Sequence, residues 1–407
     1  MLNQPFSSSR IRFIIYSFIC LLNVADGGSN ATLCKLPNDQ NRQDVALGFP
    51  RISNRMRTTG KVNFSVLFVA FPDEPQERTP NETMTILEPA IGFYSDVSYG
   101  KMEPILSPLL QSFMMPENST NYNIQDFYKQ RKYLEEATTA ALKVSDWDFS
   151  QSDSVIVMAT PLAKLALPNG PAFTSLPGEG YNASGRVFEN SATSGADFDY
   201  WKHLWANHEL GHTMGLVDLY SYSGQGGEFS YTGQWSIMGN IFGAGGEYFA
   251  WERWLLNWLD DSNVQCAGSG ISSVSLTALE QVSLGGIDDL RMATIRLNKT
   301  SAVCAEYRSA IGHDAAIPQP GVLVYLLNTA LSSGEGVIRV LGSPESDPTM
   351  LTATLNSVGD SINFDSVAIT LTEFSIGGNT ATISISNPCR DAVNCFLPNK
   401  CVSGSCN

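Results

Sequence analysis

Apolar positions along this 407-residue chain change their spacing from segment to segment, and the changes mark out its elements. The run Lys61 to Phe71 is dense in β-branched and aromatic residues and stops at Pro72-Asp73, which predicts a buried strand. Thr83 to Tyr94 has helical spacing, with Pro89 expected to kink or break it. Phe127 to Val144, rich in Lys, Glu, Ala and Leu, predicts a second helix, and Asp153 to Thr160 another buried strand. Pro, Gly and Asn then predict an exposed loop up to Asn182. Ser194 to Gly215 predicts one helix with Trp201, Leu204 and Trp205 on its apolar side, where both tryptophans are expected to pack in the core.

Beyond it, a Gly-rich loop (Gly224 to Gly233) leads to Trp235-Ser236-Ile237-Met238-Gly239, and Glu247 to Leu259 predicts an aromatic helix. From Ser272 the pattern becomes short alternating strands at Ser273–Leu276, Met292–Leu297, Cys304–Tyr307, Gly321–Leu327, Val337–Leu341, Val367–Phe374 and Thr380–Ile385. The fold class expected is α+β. Residues 61–265 form a catalytic-type domain, 266–388 a β-rich region and 389–407 a Cys-rich tail. Residues 28–60 are expected as a polar leader or linker.

The N-terminus changes this picture. Arg10 and Arg12 precede an apolar run from Phe13 to Val24, and Ala25-Asp26-Gly27 offers small residues for cleavage, so residues 1–27 read as a secretion signal. The run is short of the ~20 apolar residues a membrane span needs, so a retained anchor is the lesser alternative and no stable span is expected after cleavage. Six glycosylation sequons, at Asn30, Asn63, Asn81, Asn118, Asn182 and Asn298, suit a secreted glycoprotein. A formal charge of −15 excludes a nucleic-acid partner, which requires a basic surface. The acidic excess could hold calcium, although no EF-hand pattern is present and no site is located.

The chemistry concentrates in His208-Glu209-Leu210-Gly211-His212-Thr213-Met214-Gly215-Leu216-Val217-Asp218. Helical positions four apart share a face, so His208 and His212 would aim two imidazoles at one point. Glu209, rotated by ~100°, reaches a water there without lying in the ligand plane. Gly215 lets the chain turn and Asp218 return as an oxygen ligand. This is the donor set and spacing of a catalytic zinc site. Glu247 is the rival third ligand. Tyr220 or Tyr231 is expected as a hydrogen-bond donor to an oxyanion, His203 as a surface or supporting group and His313 as a loop residue.

Of the cysteines that outlast the signal, Cys389, Cys395, Cys401 and Cys406 suggest two bridges in the tail, and Cys266 could pair with Cys304. Cys34 then remains. Its thiolate could occupy the open zinc position and hold the enzyme latent, or it could bridge to Cys266 or to the tail.

Over roughly residues 60–387 the chain resembles the M6 peptidases, the immune inhibitor A-like family. The resemblance is carried by Phe68 to Asp73 with Asp96 to Gly100, by His208 to Tyr220, by Trp235 to Met238, and by Glu306 to Arg308, Gly312 to Asp314 and Pro320 to Tyr325. It implies a secreted zinc endopeptidase of metzincin-like architecture acting on proteins or peptides, with His208, His212 and Asp218 on zinc and Glu209 as general base. The short leader departs from the pattern in leaving little room for a folded pro-domain. A zinc hydrolase acting on a non-protein substrate and a non-catalytic secreted binding protein are the alternative functions.

Overall fold

A computed structural model describes residues 31–38, 44–282, 284, 289–342 and 346–388, with the backbone of 401–402 and 405–406. Residues 1–27, expected as a secretion signal, and nearly all of the Cys-rich tail lie outside the described residues. Among the described residues no helix is long and apolar enough to cross a membrane.

The first half is built on a five-stranded sheet. Its strands are β1 (Gly60–Ala70), β2 (Met102–Met114), β3 (Ser154–Ala159), β4 (Ala172–Thr174) and, after the hairpin β5 (Tyr181–Ala183) and β6 (Arg186–Phe188), β7 (Asn190–Thr193). They run in the order β2-β1-β3-β7-β4, parallel except for the edge strand β4, which is antiparallel to β7. The interior strand β1 buries both faces, as its unbroken apolar run requires. β2 carries Pro104 and Pro108, residues that a strand tolerates at a sheet edge, where a missing N–H removes no ladder bond.

Helices cover both faces. The expected Thr83–Tyr94 helix is divided at Pro89 into α1 (Pro80–Leu87), which opens with a Thr79/Glu82 capping box, and α2 (Pro89–Val97), which begins on that proline. α3 (Phe127–Val144) is capped by the Asp126 side chain. The single helix expected over Ser194–Gly215 is instead two, α4 (Asp197–Trp201) and α5 (His203–Thr213), separated by Lys202 at φ +56°. The helix expected from Glu247 is reduced to α6 (Ala250–Leu255). The Glu247 N–H is taken by the Asp314 carboxylate 3.0 Å away, and the helix ends where Asn257 turns to φ +61°.

The β-rich half is a sandwich. One sheet runs β13-β12-β11-β10-β8 (Ile338–Val340, Gly321–Asn328, Ser301–Arg308, Met292–Arg296, Val264–Cys266). The other runs β14-β15-β16-β9 (Ser361–Phe364, Val367–Phe374, Thr380–Asn387, Gly270–Thr277). Alternate residues of the first sheet point to two different cores. Ala293, Ile295, Val303, Ala305 and Val324 meet the second sheet. Met292, Ala302, Cys304, Leu323 and Tyr325 join Phe249, Trp251 and the α5 residues Trp205 and Leu210 in a core that spans both halves of the chain. Arg308 is wholly buried and is held by Glu280, Glu306 and Asp314. A buried cation needs such compensation.

The segment expected as a leader packs instead into this shared core, with Ala31, Leu36, Leu47 and Met56 buried in it. Cys34 is bonded to Cys266 at a sequence separation of 232, and among the described residues Cys304 is the free thiol, buried, its pKa pushed up to about 12 by burial. The Cys266–Cys304 pairing is thereby corrected. So is the latency role for Cys34, whose sulfur sits against β10, 3.5 Å from the Thr294 carbonyl, and not in the cleft. Of the sequons, Asn81, Asn118, Asn182 and Asn298 are exposed, whereas Asn63 is half-buried within β1, between two neighbouring strands.

Closing so long a loop restricts the unfolded chain, so Cys34→Ser and Cys266→Ser should each lower unfolding stability by about 2–4 kcal/mol in chemical denaturation. Equal midpoints for parent and variants would show that the bridge does not form.

Candidate metal centre

α5 places His208 and His212 one turn apart, and its ending delivers the third residue. Gly215, at φ +104°, closes a Schellman motif. Leu216 N–H donates to the Gly211 carbonyl at 3.0 Å and Gly215 N–H to the His212 carbonyl at 2.8 Å. The reversal aims the Leu216 carbonyl back at the helix, where it accepts from His212 Nδ1 at 2.9 Å. The chain then returns with Asp218 beside both rings.

The donor atoms form a nearly equilateral triangle. His208 Nε2 lies 3.2 Å from His212 Nε2, and Asp218 Oδ1 lies 3.1 Å and 3.2 Å from the two nitrogens. Two ligands at ~2.0–2.1 Å from one tetrahedral centre stand ~3.3 Å apart, so the triangle has the size of one face of a zinc site. His208 Nδ1 lies 2.9 Å from the Ile237 carbonyl, as His212 Nδ1 does from that of Leu216. Each carbonyl calls for a proton on Nδ1, which turns the Nε2 lone pair inward, the tautomer that metal ligation needs. Among the described residues, these three are the one set of His, Cys, Asp and Glu whose ligand atoms all lie within 4.8 Å of one another.

The electrostatics agree. Burial opposes charge on His212, yet the Asp218 carboxylate overrides it and raises the imidazole to about 9; His208 is raised in the same sense. Burial also works against the Asp218 carboxylate, but the neighbouring imidazoles hold its pKa well below the ordinary value. The imidazoles and the Asp218 carboxylate thus stabilise one another's charged forms in this buried setting.

Glu209 is buried beside the triangle. Burial raises its pKa, against the pull of His208 and His212, and its Oε2 accepts the Ala172 N–H at 2.7 Å. β4, in the stretch expected to be loop, is therefore part of the site. The preceding Gly170 is gripped by Asp197 Oδ2 on its N–H (2.7 Å) and by Trp205 Nε1 on its carbonyl (2.7 Å).

Beside His208, α5 rests on the turn at Trp235–Met238, whose Ile237 carbonyl meets His208 Nδ1. A Cβ on Gly211 would come within 2.6 Å of the Met238 sulfur, so a larger residue there would have to displace the Met238 side chain. Leu219 N–H donates to the Met238 carbonyl at 2.9 Å. The turn is held in place by Ser236 Oγ, which donates to Glu252 Oε2 at 3.1 Å.

A cleft of about 1110 Å³ opens over the triangle, lined in part by Gly170, Ala172, Trp201, Glu209, Tyr220, Tyr222 and Ser333. Trp205 is core, as expected, while half-buried Trp201 also faces the cleft. Tyr220 stacks near His208, with ring centroids 6.4 Å apart. Tyr231 is not in the cleft; the Arg339 guanidinium covers its ring at 4.3 Å. Glu247, the rival ligand, is corrected: it is buried in an ion pair with Arg253 and accepts the His313 N–H, outside the cleft. His313 pairs with Asp96 at 3.2 Å. Half-buried His203 has a pKa lowered by burial and by His313. Tyr222 and Ser333, both on Asp218, were not anticipated from the sequence.

No protein-family model matches the chain, and no curated protein matches it. Among solved structures it is similar to catalytically inactive OgpA from Akkermansia muciniphila, crystallised with an O-glycopeptide substrate, glycodrosocin. The two are 12% identical, with a TM-score of 0.31, over 86% of this chain and 96% of that one. Function is accordingly argued from the site's own geometry.

Burial raises the Glu252 pKa to about 7, and its Oε1 has no partner. A raised carboxyl favours the folded state at low pH and loses that contribution as pH climbs from the ordinary value, near 4.5, through 7. Glu252→Gln, which keeps a carbonyl for Ser236, should therefore stabilise the protein at pH 8 by up to about 3 kcal/mol and change little at pH 4, by urea titration. An equal effect at both pH values would contradict this.

Proposed function

We propose that this protein is a secreted zinc-dependent endopeptidase with a metzincin-like, M6-type centre. The observation that carries the reading is the convergence of His208 Nε2, His212 Nε2 and Asp218 Oδ1 to 3.1–3.2 Å in an open cleft, with the Glu209 carboxyl alongside. The donors fit zinc in type, tautomer and spacing. Bound by them, zinc would polarise a scissile carbonyl and acidify a water molecule.

The remaining steps belong to the chain. Glu209, with its pKa raised by burial, accepts the proton of the attacking water and passes it to the leaving amine. The Ala172 N–H holds the carboxyl in place for both transfers. Tyr220, whose phenol burial keeps protonated, supplies a donor for the oxyanion from the rim of the cleft. β4 is an edge strand along the cleft, and an extended peptide can lie beside it by strand addition, which favours a peptide as substrate. A binding protein would have no use for a buried Glu209 beside the donors.

Glu209→Gln should bind zinc stoichiometrically but hydrolyse casein at least ~10²-fold more slowly than the parent, whose activity a zinc chelator abolishes. Parent-like hydrolysis by this variant removes Glu209 from the mechanism, and a chelator-resistant parent removes zinc. Tyr220→Phe should lower kcat by ~10²-fold with KM little changed. A change confined to KM would reassign the phenol to ground-state binding.

A further inference from the structure

Among the described residues, the β-rich half enters the lining of the cleft at the turn between β12 and β13. We infer that Ser333 of this turn, together with Tyr222, is a positioning residue for the metal. The pair ties back one oxygen of Asp218, so that the carboxylate offers the metal only the other. The inference rests on the zinc reading above.

The two oxygens of Asp218 have different surroundings. Oδ1 faces both imidazoles at 3.1 Å and 3.2 Å. Oδ2 accepts from the Tyr222 phenol and from Ser333 Oγ at 3.2 Å. The same Ser333 hydroxyl accepts the Asp218 backbone N–H at 2.8 Å. One hydroxyl has one proton to give and lone pairs to receive, so it can hold both ends of Asp218 at once. The neighbouring backbone completes the grip, since Gly334 N–H donates to the Asp218 carbonyl at 3.0 Å and Tyr222 N–H to the Gly334 carbonyl at 3.1 Å. Gly334 has φ +74°, and a Cβ there would lie 2.1 Å from the Tyr222 ring, so the turn presses bare backbone against the phenol that it helps to orient.

Local sequence builds only half of this arrangement. Tyr222 is four residues from Asp218, but Ser333 is 115 residues away, in the turn that follows β12, an interior strand of its sheet. Coordination chemistry explains what the clamp accomplishes. A carboxylate free to rotate can bind through both oxygens and take the position that the attacking water needs. One with an oxygen tied back donates once and leaves that position open. Hydrogen-bond partners behind metal ligands are commonly worth 10–100-fold in metal affinity.

The test uses the full secreted chain, stripped of metal and titrated with zinc against a chromophoric chelator, for the parent, Ser333→Ala, Tyr222→Phe, the double variant and Ser333→Thr. Ser333→Ala and Tyr222→Phe should each weaken zinc binding by ~10-fold and the double variant by up to ~100-fold, while Ser333→Thr, which keeps the hydroxyl, stays within about threefold of the parent. With cobalt in place of zinc, the visible band of the double variant should lose intensity as Asp218 contributes its second oxygen. The melting temperature of each metal-free variant should match that of the parent, which separates positioning from folding. Should Ser333→Ala fail to fold, Tyr222→Phe decides alone. Zinc affinities of the hydroxyl-deleted variants within twofold of the parent, with an unchanged cobalt spectrum, overturn this inference and leave the peptidase reading standing. A parent that takes up no zinc overturns both.

Discussion

A carboxylate buried between two imidazoles costs free energy unless its charge is compensated, and that requirement organises the centre of this protein. Asp218 is nearly inaccessible, and its oxygens are shared between the rings of His208 and His212 on one side and two hydroxyls on the other. Everything nearby keeps that arrangement rigid. The Schellman turn at Gly215 sets where the chain comes back, two backbone carbonyls fix the imidazole tautomers, and the Trp235–Met238 turn meets the one helical position that lacks a side chain.

The second organising feature is the division of labour within the β13-β12-β11-β10-β8 sheet. One of its faces closes the sandwich and the other packs under α6, within the core that also receives α5. The β-rich half thus supports the helix that bears the histidines from below, and through the β12–β13 turn it holds the third donor from the side. The N-terminal segment adds a further brace, since Arg51 Nη1 donates to the Met214 carbonyl at 3.0 Å, at the negative end of the α5 dipole. A candidate site built this way depends on segments spread over some three hundred residues of chain.

Legibility followed the strength of the local pattern. β1, β3 and α3 are long, uniform runs, and the structure has them where the spacing predicts them. β2 was hidden because Pro104 and Pro108 break a strand pattern that an edge position tolerates. β4 was hidden because three residues amid Pro, Gly and Asn carry no periodicity, although its first N–H holds Glu209. The division between α4 and α5 at Lys202 left no mark, since Lys is not a residue that announces a left-handed backbone.

The spacing of His208, Glu209, His212, Gly215 and Asp218 made three metal-type donors and a neighbouring carboxyl legible, because helix geometry and one glycine turn act over a single short stretch. Which cysteine meets Cys34, why Glu247 is turned away towards Arg253, and which hydroxyls hold Asp218 were decided only by the tertiary structure. Cys34–Cys266 and Ser333–Asp218 join residues 232 and 115 apart, and even the short-range pairs Glu247–Arg253 and Tyr222–Asp218 depend on burial and on neighbours that no local pattern encodes.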